Sequence, residues 1–250
     1  MPTFKLTIEY DGTDFCGWQT QPGLRTVQGE LETALSQIIQ RKITIHGAGR
    51  TDAGVHALGQ VASFQCETPR TCEELLRGGN SLLPPDVALR HVEIVPDGFH
   101  ARHSAIFRRY EYVIHNSPAR PALDRHRLAW IAFPLDFDRM AQGCELLKGE
   151  HDFSAFRSSL CEAKRTTLTL SEVQIAASGE RILLQFGCRS FLMNMVRIMA
   201  GTLIEIGRKK LEPCCIQRML ETGMRDSGGP TAPACGLTLI GIRYDIAELR

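Results

Sequence analysis

The sequence lacks a dominant charge. Its 29 Lys and Arg residues nearly balance 28 Asp and Glu residues, and the net charge of +1 excludes a polybasic protein that binds polyanions by bulk charge. Any nucleic-acid surface must therefore come from local clustering of basic residues. With 43% hydrophobic and 23% charged residues, the 250-residue chain is typical of a globular protein with one large domain or two small ones.

Export and membrane signals are also lacking. The first residues, from Met1 to Lys5, include no basic region followed by an apolar run and a cleavage site, so we expect a protein that is not secreted. The longest charge-free stretch, 227–242, is interrupted by glycine and proline and does not provide the roughly 20 apolar residues of a membrane helix. We expect a cytoplasmic protein with no membrane partner.

The cysteines do not form a recognisable framework. There are nine of them, and no two have Cys-x-x-Cys spacing, which excludes a zinc ribbon and argues against a disulfide-stabilised fold. His100 and His103 lack a third ligand nearby, so we expect no metal site there. Free cysteines of this kind suit a reducing cytosol, and we assign them to packing.

Hydrophobic periodicity predicts a mixture of strands and helices. Alternating apolar residues predict strands over 4–10, 42–46, 55–64, 87–95, 168–176, 181–188 and 237–244, and one around 106–114. Helical spacing predicts helices over 27–38, 71–82, 137–147, 191–206 and 213–221, with Thr26 as the first N-cap. Interspersed helices and predicted hairpins favour two layered α+β units side by side over one doubly wound parallel sheet. A cleft between two such units would be a natural site.

The link 49–54 concentrates unusual residues. Arg50 and Asp52 lie between glycines that allow the backbone to bend sharply, and loops of this kind often carry function. The alternative is that Asp52 caps a turn and Arg50 is a solvated surface charge. A dinucleotide fingerprint does not fit, because Asp52 occupies the third glycine position, and a phosphate-binding Gly-x-x-x-x-Gly-Lys loop is missing.

Basic residues cluster in the stretch from Arg102 to Arg127. Six arginines stand against two acidic residues there, and Tyr110 and Tyr112 offer aromatic faces on which bases could stack. The arginines are Arg102, Arg108, Arg109, Arg120, Arg125 and Arg127. Arginine interleaved with aromatic residues suits RNA, although a solvated strand edge explains the pattern equally well.

A second pair of polar residues lies on the predicted helix 191–206. Asn194 and Arg197 are one helical turn apart on an otherwise apolar surface. Buried partners or RNA contacts both explain this pair.

The segment Gly49-Arg50-Thr51-Asp52-Ala53-Gly54-Val55-His56-Ala57 resembles the signature of the tRNA pseudouridine synthase A family. Other stretches resemble that family in the same order and extend the resemblance over essentially the whole chain. They are Tyr10-Asp11-Gly12-Thr13, Gly17-Trp18-Gln19, Val27-Gln28, Asn80 with Leu83-Pro84, Arg102-His103-Ser104-Ala105, Arg108-Arg109-Tyr110-Glu111-Tyr112, His151-Asp152-Phe153-Ser154, Phe191 to Arg197, and Ala232-Pro233 with Gly236-Leu237.

The resemblance implies an enzyme that converts uridine to pseudouridine in the anticodon arm of tRNA, at positions 38, 39 and 40, without metal or cofactor. It makes Asp52 the essential carboxylate. Asp52 either adds as a nucleophile or removes the 2′ proton to give a glycal-like intermediate, and the sequence leaves both open.

The resemblance also implies roles for neighbouring residues. Arg50 is expected to pair with Asp52 and to assist base flipping, and Tyr110 is expected to stack on the target base. The further RNA contacts expected are Arg102, Arg108, Arg109, Arg197 and Asn194. Family members are homodimers, so we expect a homodimer that binds the tRNA anticodon arm.

The fold expected is α+β, with two ferredoxin-like α/β-sandwich units that have mainly antiparallel sheets, lie side by side and enclose an active-site cleft. Residues 1–104 would carry the Asp loop, and residues 105–250 the Arg/Tyr strand and the RNA-binding surface. The rival functions are an inactive tRNA chaperone, a base deaminase and a small-molecule lyase. The deaminase fails because Pro213-Cys214-Cys215 does not complete the required zinc set.

Overall fold

A computed structural model describes residues 1–245 of the chain. These residues form a mixed α+β structure with ten strands and five α-helices. In chain order the elements are β1 (Thr3–Tyr10), α1 (Val27–Ile39), β2 (His46–Gly47), β3 (His56–Gln65), α2 (Cys72–Leu82), β4 (Val87–Val95), β5 (Ala105–Asn116), β6 (Ala129–Ile131), α3 (Phe137–Leu147), β7 (Gly149–Asp152), β8 (Thr167–Ser178), β9 (Arg181–Cys188), α4 (Met195–Gly207), α5 (Cys214–Thr222) and β10 (Leu237–Tyr244).

The chain divides into two compact units. Unit 1 comprises Met1–Arg108 together with the C-terminal segment that begins at Leu239, and unit 2 comprises Arg109–Thr238. The ranges expected from the sequence, 1–104 and 105–250, differ from this division because β10 follows β3 in the strand order and so returns the chain to unit 1. Residues 246–250 of the expected second range lie outside the described residues.

Unit 1 is an antiparallel sheet with two helices. Its strands lie in the order β4-β1-β3-β10, β1 is antiparallel to both β3 and β4, and β2 pairs antiparallel with β3. The alternation of β1 places Phe4, Leu6 and Ile8 in the core, as the sequence predicts. Burial of these side chains on one face fixes the register of β1 between its neighbours.

The two helices of unit 1 begin at side-chain caps. Thr26 precedes α1 and accepts a hydrogen bond from the backbone N–H of Gly29, which confirms the predicted N-cap. Thr71 precedes α2, where it forms a capping box with Glu74. These caps satisfy N–H groups at the helix starts that have no partner within the helix.

Unit 2 combines strands in the order β5-β9-β8-β7 with three helices. β8 and β9 form the predicted antiparallel hairpin, and β7 is antiparallel to β8. β6 is parallel to β5. Helix α4 is buried around most of its circumference, which marks it as the central helix of this unit.

The predicted elements agree with the structure except at a few positions. The bounds of β4, α3, β9 and β10 are confirmed, whereas the predicted strand 42–46 is wrong except at its end, where β2 begins. The predicted helix 191–206 begins later, at Met195, because Asn194 has a left-handed φ of 62°. In residues 1–245, none of the helices is long and apolar enough to cross a bilayer.

Candidate active-site loop and RNA-binding residues

Asp52 lies at the first position of a tight turn between β2 and β3. The turn is closed by a hydrogen bond from the backbone N–H of Val55 to the carbonyl oxygen of Asp52 (3.2 Å). Gly54 occupies the third position with a φ of +76°, a value that side-chain-bearing residues rarely adopt and that a type II turn requires. The sequence Asp-Ala-Gly therefore sets the backbone that presents the Asp52 carboxylate.

Backbone contacts from the segment after β1 fix this turn. The N–H of Trp18 donates to the carbonyl oxygen of Thr51 (3.1 Å), and the N–H of Gly54 donates to the carbonyl of Phe15 (3.3 Å). A Cβ atom on Gly17 would lie 2.7 Å from the Thr51 carbonyl oxygen, so only glycine permits this approach. The hydrogen bonds of Thr51 and Gly54 thus fix the backbone on both sides of Asp52.

Buried side chains form a second set of anchors. The hydroxyl groups of Tyr10 and Thr51 share a hydrogen bond of 2.8 Å. Gln60, on β3, is fully buried and donates from Nε2 to the carbonyl of Gly49 (3.0 Å) and to the Tyr10 hydroxyl (3.4 Å). Both ends of the loop that carries Arg50 and Asp52 are therefore tied to the sheet of unit 1.

His56 anchors the end of the loop. The ring is buried, and its Nδ1 atom lies 3.0 Å from the backbone N of Gly12 and 3.1 Å from the Oδ1 atom of Asp11. Gly12 also lies directly against the carbonyl of Val55, where a Cβ would not fit. His56 belongs to the segment that resembles the family signature. The resemblance does not show which groups the histidine ring contacts.

Arg108 braces the beginning of the loop. Its buried guanidinium donates from Nη2 to the carbonyl oxygens of Ala48 (2.7 Å) and Arg102 (3.1 Å). The structure therefore buries the Arg108 guanidinium against the residues that lead into the loop. Charge-assisted bonds of this kind are stronger than neutral ones.

Arg50 points to solvent. Its side chain is exposed. Its exposure beside the turn leaves the guanidinium accessible to a nucleic acid.

Tyr110 belongs to unit 2, on β5. The ring is 7% exposed and packs edge-on against Phe191, with ring centroids 5.1 Å apart and an interplanar angle of 83°. Edge-to-face packing of this kind fixes the plane of the tyrosine ring. Tyr112, on the same face of the strand, is fully buried and donates its hydroxyl to the carbonyl of Pro233 (3.0 Å).

Arg109 faces the other side of β5 and binds Glu172 of β8. Its Nε and Nη2 atoms each donate to a different carboxylate oxygen at 2.9 Å, which is the bidentate geometry of a strong arginine–carboxylate pair. The hydrogen bonds with Glu172 raise the pKa of Arg109. The side chain remains 44% exposed, so the charge is accessible while the guanidinium is oriented.

Asn194 and Arg197 are brought together in unit 2, as their spacing predicts. Arg197 donates from Nε to the carbonyl of Ala232 (2.9 Å) and from Nη1 to the Oδ1 atom of Asn194 (3.4 Å). The backbone N–H of Ala232 in turn donates to the Arg197 carbonyl (3.0 Å). These hydrogen bonds within the protein therefore explain in part why two polar residues occur on an otherwise apolar helix surface.

The other predicted arginines are on the surface. Arg102, Arg120, Arg125 and Arg127 are exposed. Of the six arginines in the predicted polyanion surface, only Arg108 is buried, while Arg109 is half-buried. The clustering of arginines in the sequence thus identifies accessible positive charge. It does not show which arginine binds groups inside the protein.

The residues that sequence reasoning missed are the supports of the Asp loop. Tyr10 and Trp18 occur in stretches that resemble the family, but nothing in their spacing reveals that they contact Thr51. Gln60 has no signal beyond being a polar residue in an apolar strand. Among the described residues, no group of three His, Cys, Asp or Glu side chains is arranged to hold a metal ion.

This arrangement supplies a half-buried carboxylate on a turn whose position is fixed before any substrate binds. Such a carboxylate can act as a nucleophile or as a general base, because it needs no reorganisation to reach its working position. Unit 2 separately holds the Tyr110 ring, whose plane is fixed by its edge-on contact with Phe191.

Comparisons with known proteins agree with this chemistry. A family model described as "tRNA pseudouridine synthase" matches residues 6–104 and 144–245. The chain is 45% identical to "tRNA pseudouridine synthase A" of Alcanivorax borkumensis, over 98% of this chain and 92% of that protein. It is 44% identical to the protein of the same name from Paramagnetospirillum magneticum, over 98% and 96% of the two chains.

Among solved structures, a chain of a Cbf5-Nop10-Gar1 complex is similar with 10% identity and a TM-score of 0.38, over 94% of this chain and 57% of that one. That similarity is too low to support a conclusion about this chain. The family model and the full-length relatives show that this chain belongs to the tRNA pseudouridine synthase family.

Proposed function

We propose that this protein isomerises uridine to pseudouridine at positions 38, 39 and 40 in the anticodon stem-loop of tRNA, with Asp52 as the essential carboxylate. The observation that carries the proposal is the Asp52 turn, which is fixed from both sides by Trp18, Phe15 and the Tyr10–Thr51 hydrogen bond. Membership of the tRNA pseudouridine synthase family supports the reaction type.

The reaction needs no redox partner. The bond between C1′ and N1 of uridine breaks, the uracil rotates while it is bound, and a bond forms between C1′ and C5. The proton on C5 is lost to solvent, and N1 takes up a proton in its place. Asp52 serves either as the nucleophile that adds covalently or as the base that removes the 2′ proton to give a glycal.

The target nucleotide must leave the stem for this chemistry, and flipping it out of the stack costs a few kcal/mol. The exposed Arg50 beside the turn is suited to occupy the space left by the base or to contact its phosphate. Tyr110, whose ring plane is fixed by Phe191, would stack on the uracil.

The RNA contacts proposed are Arg102 and Arg109, whose positive charges are accessible, together with Asn194 and Arg197. Arg108 is proposed instead to position the Asp loop, because its guanidinium is buried against Ala48.

The side-by-side arrangement of two ferredoxin-like units with a cleft between them, the homodimer that binds a tRNA arm across both subunits, and the cytoplasmic location remain predictions from the resemblance and the composition. The homodimer is tested by light scattering of the purified protein.

The reaction and its positions are tested with tRNA transcripts that carry tritium at uracil C5. The protein should release tritium to water from a transcript with uridines at positions 38 to 40, and release should stop when these uridines are replaced by cytidine. Release that persists from the substituted transcript would place the reaction elsewhere in tRNA. Salt-dependent binding without release from any transcript would favour the tRNA chaperone, and the absence of binding would favour the small-molecule lyase.

A further inference from the structure

Arg25 lies just before α1 and connects three segments of unit 1. Its Nη1 and Nη2 atoms each donate to a different carboxylate oxygen of Asp86 at 2.8 Å, and its Nε donates to Glu30 (3.1 Å). The guanidinium also lies over the ring of Phe15, 4.1 Å from the ring centroid. Two carboxylates and an aromatic face therefore fix the plane of this group. Neither Arg25 nor Asp86 belongs to the stretches that resemble the family.

The ring beneath this guanidinium leads directly to the turn that carries Asp52. Phe15 is buried, and its carbonyl oxygen accepts the hydrogen bond from the backbone N–H of Gly54 (3.3 Å), the glycine of that turn. The carbonyl oxygen of Arg25 accepts from the N–H of Cys16 (2.9 Å), so the main chain next to Phe15 is held as well as its ring. One residue therefore separates Arg25 from the Asp52 turn.

Asp86 holds the same segment at its beginning. Its carbonyl oxygen accepts a hydrogen bond from the backbone N–H of Asp11 (3.0 Å), the residue that follows β1. The next residue along the chain, Val87, begins β4, which pairs with β1. The segment 11–18 is therefore held at its start by Asp86 and at its centre by Arg25, and the ion pair joins these two points.

The geometry of this ion pair is better suited to orientation than to stability. The side chains of Arg25 and Asp86 are 36% and 24% exposed, and ion pairs that water reaches contribute little to the free energy of folding. A bidentate fork, in contrast, permits only one arrangement of the two groups, and the stacked ring restricts it further. The pair therefore fixes where the segment 11–18 lies.

We propose that Arg25 and Asp86 are positioning residues for the reaction, and that they hold the segment 11–18 so that the Asp52 turn is in its working position before RNA binds. This inference rests on the proposed function, because it concerns the placement of the essential carboxylate. Both residues act through Phe15 and the backbone of the turn, without contact to the uracil. A reacting carboxylate needs such support, because its rate depends steeply on its position.

The test compares three variants of the full chain. Arg25→Lys keeps the positive charge, but lysine cannot bind both oxygens of Asp86 in a planar fork or stack flat on Phe15. Asp86→Asn removes the carboxylate with little change in volume. The matched control is Arg90→Lys, which makes the same change at an exposed arginine of β4 that pairs with Glu9 (3.5 Å). Urea denaturation measures the stability of every protein.

The first readout separates the rate of the reaction from tRNA binding. Since displacement of a catalytic group by about 1 Å can reduce the rate by about a hundredfold, Arg25→Lys should slow single-turnover tritium release by about tenfold. The dissociation constant for tRNA and its salt dependence should stay unchanged. Asp86→Asn should have a similar effect, and the double variant should be no slower than Arg25→Lys, because both changes break the same connection. Arg90→Lys should behave like the wild type.

Amide hydrogen exchange supplies a second readout that does not depend on turnover. The backbone N–H groups of Gly54 and Val55 donate to the carbonyl oxygens of Phe15 and Asp52, and they should exchange several-fold faster in Arg25→Lys. The amides of the β1–β3 ladder should keep their wild-type rates. This contrast separates a loosened Asp52 turn from a general loss of stability, which would speed exchange in both places.

Three results would overturn the proposal. The first is a wild-type rate of tritium release in both Arg25→Lys and Asp86→Asn. The second is exchange that is faster in the turn and the ladder alike, which is the signature of a purely structural role. The third is weaker tRNA binding with a shallower salt dependence, which would make Arg25 a phosphate contact. If even the wild type releases no tritium, the proposed function fails, and exchange at Gly54 alone decides whether the pair holds the turn.

Discussion

Replacement of Gln60 by methionine tests whether the Asp loop depends on its buried anchors. Gln60 is fully buried on β3, and its Nε2 atom donates to the carbonyl oxygen of Gly49 at 3.0 Å. Methionine has a similar length and volume, so packing is largely kept, while the donor to Gly49 and Tyr10 and the Oε1 acceptor of the Val61 N–H are lost. A buried acceptor that loses its partner costs about 1 to 3 kcal/mol, and we expect the free energy of unfolding to fall by that amount.

The catalytic effect should exceed the effect on binding. Displacement of a catalytic group by about 1 Å can reduce the rate by about a hundredfold, and the Gly49 carbonyl anchors the loop that carries Asp52. We therefore expect kcat for tritium release to fall by about 10- to 100-fold, while the dissociation constant for tRNA changes little. A smaller kcat with unchanged binding is the signature of a misplaced carboxylate.

The matched control is Gln65→Met, on the same strand. Gln65 is exposed and donates to the Thr3 hydroxyl (3.2 Å), so its replacement should change stability by less than about 0.5 kcal/mol. The assays are urea denaturation and single-turnover tritium release for both variants. A Gln60→Met protein with wild-type kcat and stability would refute the claim that the hydrogen bonds of Gln60 position the loop.

Three further substitutions probe the turn, a local carboxylate and the proposed RNA surface. Gly54→Ala forces a side chain into a φ of +76° and should lower the free energy of unfolding by about 1 to 2 kcal/mol; an unchanged urea midpoint would contradict a rigid turn. Asp152→Asn should destabilise the protein at pH 7 and less so at pH 3. The hydrogen bond from Thr166 holds the pKa of Asp152 below its usual value, so the carboxylate contributes stability above the unfolded-state pKa and loses it as the pH falls through the folded-state pKa. An equal difference in unfolding free energy at both pH values would contradict this reasoning. Glu172→Gln removes the carboxylate that pairs with Arg109 and should tighten tRNA binding at low salt, with a stability change within about 1 kcal/mol. Weaker binding in a fluorescence anisotropy titration would contradict a role for Arg109 in RNA contact.

Regular elements with strong local signals were predictable from the sequence. The alternation of Phe4, Leu6 and Ile8 predicts the buried face of β1, and Thr26 predicts the start of α1. The predicted strand over 42–46 was mostly wrong, because apolar residues there fill the core without forming ladder hydrogen bonds: Ile43 and Ile45 are buried, and Ile45 donates its N–H to the Glu32 side chain.

The framework of the site was less predictable, because it consists of contacts between residues far apart in the chain. The glycine-flanked Asp52 indicated a sharp turn, but the hydrogen bond between Tyr10 and Thr51 depends on the pairing of strands. Charge clustering placed Arg108 among the RNA contacts, whereas tertiary packing buries its guanidinium against Ala48. Sequence shows which residue types are present, and only the fold decides which of them face solvent.

The most direct test of the central claim compares the wild-type protein with Asp52→Asn and with Asp138→Asn, which changes an exposed aspartate of α3. All three proteins are mixed with tRNA that carries tritium at uracil C5, and tritium release and tRNA binding are measured together. We expect release by the wild type and by Asp138→Asn, no release by Asp52→Asn, and equal tRNA binding by all three. Undiminished release by Asp52→Asn would contradict the assignment of Asp52 as the essential carboxylate.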